Sequence, residues 1–82
     1  MAKVTKVIEE SRNGGCPAIH NVDGEIKLAT GETVPSGMVL LQGYELDDPA
    51  AVAQIRFDPG ENVLAVQESL ILAYAGRIRA GR

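Results

Sequence analysis

The chain has 82 residues, room for one domain and one core, and its 11 acidic against 8 basic side chains leave a formal charge of −3. That sign opposes holding a nucleic acid backbone by counterion release, and no segment approaches the roughly 20 apolar residues of a membrane span. Apolar residues make up 45%, too many for a disordered tail, but with one Phe, two Tyr and no Trp the interior must be filled by Val, Ile, Leu and Ala. Little flat aromatic surface remains for stacking a base or a planar cofactor. The single cysteine, Cys16, excludes an intrachain disulfide, which together with the polar start of the chain points to a cytoplasmic protein.

Residues 2–9 alternate imperfectly. Val4 and Ile8 share one side and Lys3, Thr5 and Glu9 the other, with Lys6 and Val7 out of phase, a pattern expected of an edge strand. Residues 10–15 lack periodicity and contain Gly14-Gly15, so they read as a loop, and Pro17 holds Cys16 extended. Asp23-Gly24 between Val22 and Glu25 is a two-residue hairpin signal of type I′. Counting outward, it pairs Asn21 with Ile26, His20 with Lys27, Ile19 with Leu28 and Ala18 with Ala29. Ile19, Ile26 and Leu28 then form the core face, and His20, Glu25 and Lys27 face water.

Residues 30–37 form a connection punctuated by Pro35-Ser36-Gly37, long enough to act as a flap. Residues 38–46 begin with four apolar positions on both alternating faces, so this stretch reads as the central strand, covered by the hairpin before it and the helices after it. Gly43 within it signals a bulge or a close backbone neighbour, the following helix being one candidate. Asp48-Pro49 marks a helix start, with Asp48 as N-cap and Pro49 at the first helical position. Asp58-Pro59-Gly60 ends that helix, with Pro59 and Gly60 at the centre of a type II turn, and residues 62–66 read as a last strand. From Gln67 to about Ala80 the spacing becomes helical, with Leu70, Ile71, Tyr74 and Ile78 on one face, Leu72 off it, and Gly76 weakening the last turn.

The expected architecture is one α+β domain over residues 1–82: a small antiparallel sheet of four or five strands with a short helix and a C-terminal helix packed on it. Candidate chemistry is sparse. Cys16 and His20, spaced C-x₃-H, lack the further ligands a structural zinc site requires, so no metal is expected. Gly14-Gly15 could turn backbone N–H groups towards an anion or activate the Cys16 thiol, which makes the Gly14-Gly15-Cys16 loop the alternative site, for thiol-dependent or anion-binding activity. Strand spacing, however, places His20 roughly 13 Å along the chain from Cys16, beyond hydrogen-bond reach. Packing for Cys16 and solvent exposure for His20 are the plainer roles. The glycines form no phosphate loop or dinucleotide fingerprint, so no cofactor is implied. Leu72, Arg77 and Arg79 remain as a surface for a protein partner.

The residues Asn13-Gly14-Gly15-Cys16-Pro17-Ala18-Ile19, Leu41-Gln42-Gly43-Tyr44, Pro59-Gly60-Glu61-Asn62-Val63 and Ser69-Leu70-Ile71 resemble those of small actinobacterial proteins. These are similar to the short accessory proteins encoded beside helix-turn-helix transcription regulators. The resemblance covers residues 13–72 and implies a regulatory protein partner without enzyme activity; it transfers no catalytic residue. The function expected from the sequence is therefore a protein-interaction or regulatory module, without catalysis, that binds a protein partner or itself as a homodimer through Leu72 or an unpaired sheet edge.

Overall fold

A computed structural model of the chain describes residues 2–9 and 17–81. The elements run β1 (Lys3–Glu9), β2 (Ala18–Asp23), β3 (Ile26–Lys27), β4 (Thr33–Val34), β5 (Val39–Gln42), α1 (Pro49–Val52) and α2 (Glu68–Gly81). The α+β class holds, with the strands divided into an antiparallel sheet of order β1-β2-β5 and a separate β3-β4 pair.

The central strand is β2, not the apolar run of residues 38–41. Ala18 and Ile19 of β2 are fully buried, whereas β5 lies at the sheet edge with Val39 and Leu41 substantially exposed. Two-sided apolarity reports a need for cover, and within the chain β5 receives only part of it.

The hairpin at Asp23-Gly24 does not form. Gly24 has φ +108°, but no described non-glycine residue has positive φ, so Asp23 cannot occupy the first position of a type I′ turn. The physical reason lies in the ladders: β1 and β5 take both sides of β2, leaving no edge for β3. Ile26 instead pairs with Val34, and Lys27 with Thr33. The tight reversal sits at Ala29-Thr30-Gly31. There the Gly31 N–H donates to the Leu28 carbonyl at 3.0 Å, the Leu28 N–H donates to the Glu32 carbonyl at 2.8 Å, and Gly31 takes φ +98°. This is a three-residue loop closed by a glycine bulge, so the expected flap at residues 30–37 is largely hairpin.

Strand β1 lies at the other edge, as its pattern suggested, and the structure resolves its uneven alternation. The register shifts between Lys6 and Ile8, leaving Val7 as the extra residue. Ile8 is thereby moved onto the face of Thr5 and opposite Ile19, where it is half-buried.

Asp48 caps α1 through its carboxylate, which accepts from the Ala51 N–H at 3.1 Å, and Pro49 occupies the first turn. The Pro59-Gly60 turn forms, with Gly60 at φ +87° and the Glu61 N–H donating to the Asp58 carbonyl at 3.1 Å; the Glu61 side chain accepts from the Asp58 N–H at 2.9 Å. Residues 62–66 do not make the expected strand. Only Ala65 pairs, in a single bridge with Tyr44 whose two backbone bonds measure 2.8 and 2.9 Å. That bridge explains Gly43: a Cβ there would come within 2.7 Å of the Ala65 carbonyl oxygen and of Val66. The close neighbour is thus this segment, not a helix.

Helix α2 runs through Gly76 to Gly81 and packs on β1 and β2. The Tyr74 hydroxyl, 3.5 Å from Asn21 Oδ1, fixes which face it covers: that of Ile19 and Asn21. Leu70 is fully buried there, and with Pro17, Ala18 and Ile19 it completes the buried set of the described residues.

Candidate interaction surface

Antiparallel partners share a face, so the register assigns every strand residue to one side of the sheet. On the α2 side lie Thr5, Ile8, Ile19, Asn21, Val39 and Leu41; on the opposite side, open in that α2 does not pack there although Ala18 is fully buried, lie Val4, Lys6, Ala18, His20, Val22, Leu40 and Gln42. The backbone of α2 approaches β1 and β2 but does not reach β5. Val39 and Leu41 therefore lie on the helix side but beyond the α2 backbone, 44% and 39% exposed.

His20 is on the open side, half-buried, where its Nε2 donates to Oε1 of Gln42 at 2.8 Å. Its cross-strand neighbours are Lys6 and Leu40 rather than Lys27. Cys16 and the Gly14-Gly15-Cys16 loop lie outside the described residues. Among the described residues no group of three or more His, Cys, Asp or Glu is placed to hold a metal ion.

The three residues singled out on α2 do not form one surface. At 100° per residue, Leu72 and Arg79 fall within about 20° of each other and opposite the buried Leu70, and Leu72 is the most exposed large apolar residue, at 71%. Arg77 falls on the Leu70 side instead. There it lines a cleft of about 300 Å³ with Asn21, Tyr74, Ile78 and Gly81. A second cleft, of about 390 Å³, opens across the same end of the sheet, and Lys3, Thr5, Asn21, Asp23, Met38 and Val39 are among its walls. Asn21 belongs to both, so the clefts meet over the part of the sheet that α2 leaves uncovered. A third cleft, of about 340 Å³, lies by α1 and is walled by Glu45, Leu46, Val52, Phe57, Asn62 and Val63.

The exposure is general. Val4, Met38, Tyr44, Ile55, Phe57, Ile71 and Ile78 are also open to solvent. The accessible area of the chain is 6423 Å², against about 4,700 Å² for a compact monomer of this 8.7 kDa mass. The radius of gyration, 14.2 Å, is likewise larger than the roughly 12 Å of a compact chain of this length. Sequence reasoning identified Leu72 and the idea of an unpaired edge but missed Val39 and Leu41. The signal was present: a strand apolar on both faces has two sides to cover, and only one internal neighbour was found for it.

No helix among the described residues is long and apolar enough to cross a membrane. No family model, curated protein or solved structure matches the chain.

Proposed function

We propose that the chain is a non-catalytic protein-interaction module, with a regulatory role in the cytoplasm, that works in association with a second protein chain. The observation that carries this reading is the surplus of about 1,700 Å² of accessible surface over a compact monomer of equal mass, together with the ten large apolar side chains that stand exposed among the described residues. Burying part of that surface against another chain would offset the weakness of a core with four buried side chains among the described residues. His20 supports the reading in a second way, since its described hydrogen bond joins two strands of the sheet. The resemblance to accessory proteins suggests the kind of partner, a helix-turn-helix regulator, and the net negative charge favours contact with such a protein over contact with its DNA.

Light scattering across a concentration series, combined with co-purification from the native cell, tests this. A mass above 8.7 kDa or a stoichiometric partner is expected. A chain that stays monomeric at every concentration and brings down no protein overturns it.

A further inference from the structure

We propose that two copies of the chain join along the outer edge of β5, antiparallel and about a two-fold axis through Leu40, to make one continuous six-stranded sheet. The proposal rests on the association reading above and adds the surface, the occupant and the register. The edge itself is the first argument. β5 has β2 on one side and no described strand on the other, so one row of its N–H and C=O groups is available to a further strand. Its residues, Val39, Leu40, Leu41 and Gln42, include no charge, no proline and no register shift, which are the usual devices that keep a second strand away.

The second argument concerns the occupant. A neutral apolar strand matches a copy of itself, and a two-fold contact closes after one addition. Area agrees: a standard interface takes about 800 Å² from each partner and an obligate homodimer more than about 1,000 Å². The surplus of about 1,700 Å², which belongs to the whole chain and not to β5 alone, leaves room for either.

The register follows from symmetry. A two-fold axis perpendicular to the sheet keeps each face on its own side, and paired residues share a face, so the axis must pass through a residue and not between two. Centring on Leu40 sets Leu40 against Leu40 of the second copy, and Val39 against Leu41 of the second copy on the helix side. The four Val39 and Leu41 side chains then cover one another in the strip that neither α2 reaches. Centring on Leu41 would instead place Leu40 against Gln42 and Val39 against Gly43, a poorer apolar match.

The test uses two full-length double variants, Val39→Lys with Leu41→Lys and Val39→Glu with Leu41→Glu, each checked for native circular dichroism. Each alone is expected to be monomeric, with a dissociation constant raised at least about 100-fold by like charges set across the axis. Mixed, they are expected to recover a dimer, because every lysine then faces a glutamate. Leu72→Glu, on the far side of α2, is expected to leave the dimer intact. Cross-linking in a Cys16→Ser background reads the contact without charges and serves if a double variant fails to fold. Leu40→Cys is expected to oxidise to a covalent dimer faster than Leu41→Cys. A faster Leu41→Cys overturns the register, and no cross-link at either position overturns the edge contact. A dimer that survives both double variants but dissociates with Leu72→Glu overturns the β5 interface while leaving association in place; a wild-type monomer with no partner removes both.

Discussion

Along β1, Lys3 and Lys6 flank Val4 and Thr5, Lys6 pairs with Glu9 at 3.1 Å, and the register shifts at Val7. Along β5, four residues carry no charge, and their ladder to β2 is unbroken. Both strands lie at edges of the same three-stranded sheet, yet only β1 has features that discourage a further strand. The packing of α2 repeats the asymmetry, since its backbone approaches β1 and β2 but not β5, where Val39 and Leu41 remain 44% and 39% exposed. One edge of the sheet thus carries features that close it, and the other carries none.

The largest way to break this contrast is to remove an equal amount of hydrocarbon from each half. Leu70 is fully buried beneath α2, so Leu70→Ala is expected to cost about 2–5 kcal/mol. For a domain of this size that lowers the melting temperature by several degrees per kcal/mol. Leu41→Ala, at 39% exposure, is expected to cost less than Leu70→Ala, about 1–2 kcal/mol in a chain held monomeric by dilution, because part of its side chain stays in water after folding. Thermal unfolding at low concentration checks both. Equal losses would mean that β5 is already as well covered as β2.

A smaller effect is expected at the end of β5, where residues 64–66 dock. Gly43→Ala would press a methyl group to 2.7 Å from a backbone oxygen that cannot turn aside, and about 1–3 kcal/mol is expected as the Tyr44–Ala65 bridge gives way. Denaturant unfolding measures it. Loss of the proposed dimer with the fold retained would further show that this bridge helps to hold β5 in place.

The elements with a local cause were legible in the sequence. The Asp48 cap, the Pro59-Gly60 turn and the helix expected from Gln67, which begins at Glu68, each follow from residues a few positions apart, and each is present; Gly43 signalled a close backbone neighbour but not that residues 64–66 supply it. What failed was pairing. Asp23-Gly24 carried a sound turn signal, but strand partners are chosen by the whole set of ladders, and β2 gained more from β1 and β5 together than from the two residues of β3. Reading β5 as central had the same origin: a sequence shows that both faces are apolar, not whether the cover belongs to the same chain. The candidate surface was therefore only half visible. Leu72 stood out by breaking a helical period, whereas Val39 and Leu41 were taken for core. Arg77 and Arg79 looked alike until the helix turned them to different sides.

Amide exchange sharpens the comparison without a mutation. In the proposed dimer, outward N–H groups of β5 would be hydrogen-bonded across the axis while those of β1 would remain with water. Protection of residues 39–42 is therefore expected to fall on dilution below the dissociation constant, with protection along β2 unchanged. Concentration-independent exchange at β5 would count against a contact there.

The smallest change in folding free energy is expected at the other edge, with Lys3→Val and Lys6→Val together. The Lys6–Glu9 pair is 40% exposed at both side chains, and such pairs contribute little, so folding stability is expected to move by no more than about 0.5 kcal/mol. The association state is expected to change more. A chain with one open edge stops at a two-fold dimer, because the single contact is satisfied on both sides; a chain with two open edges can add at each end and grows as a ladder. Light scattering of this variant should then show masses beyond the dimer, dispersed when Val39→Lys and Leu41→Lys are added. If the mass stays at two chains, the lysines are dispensable and the register shift at Val7 is by itself sufficient to keep β1 closed.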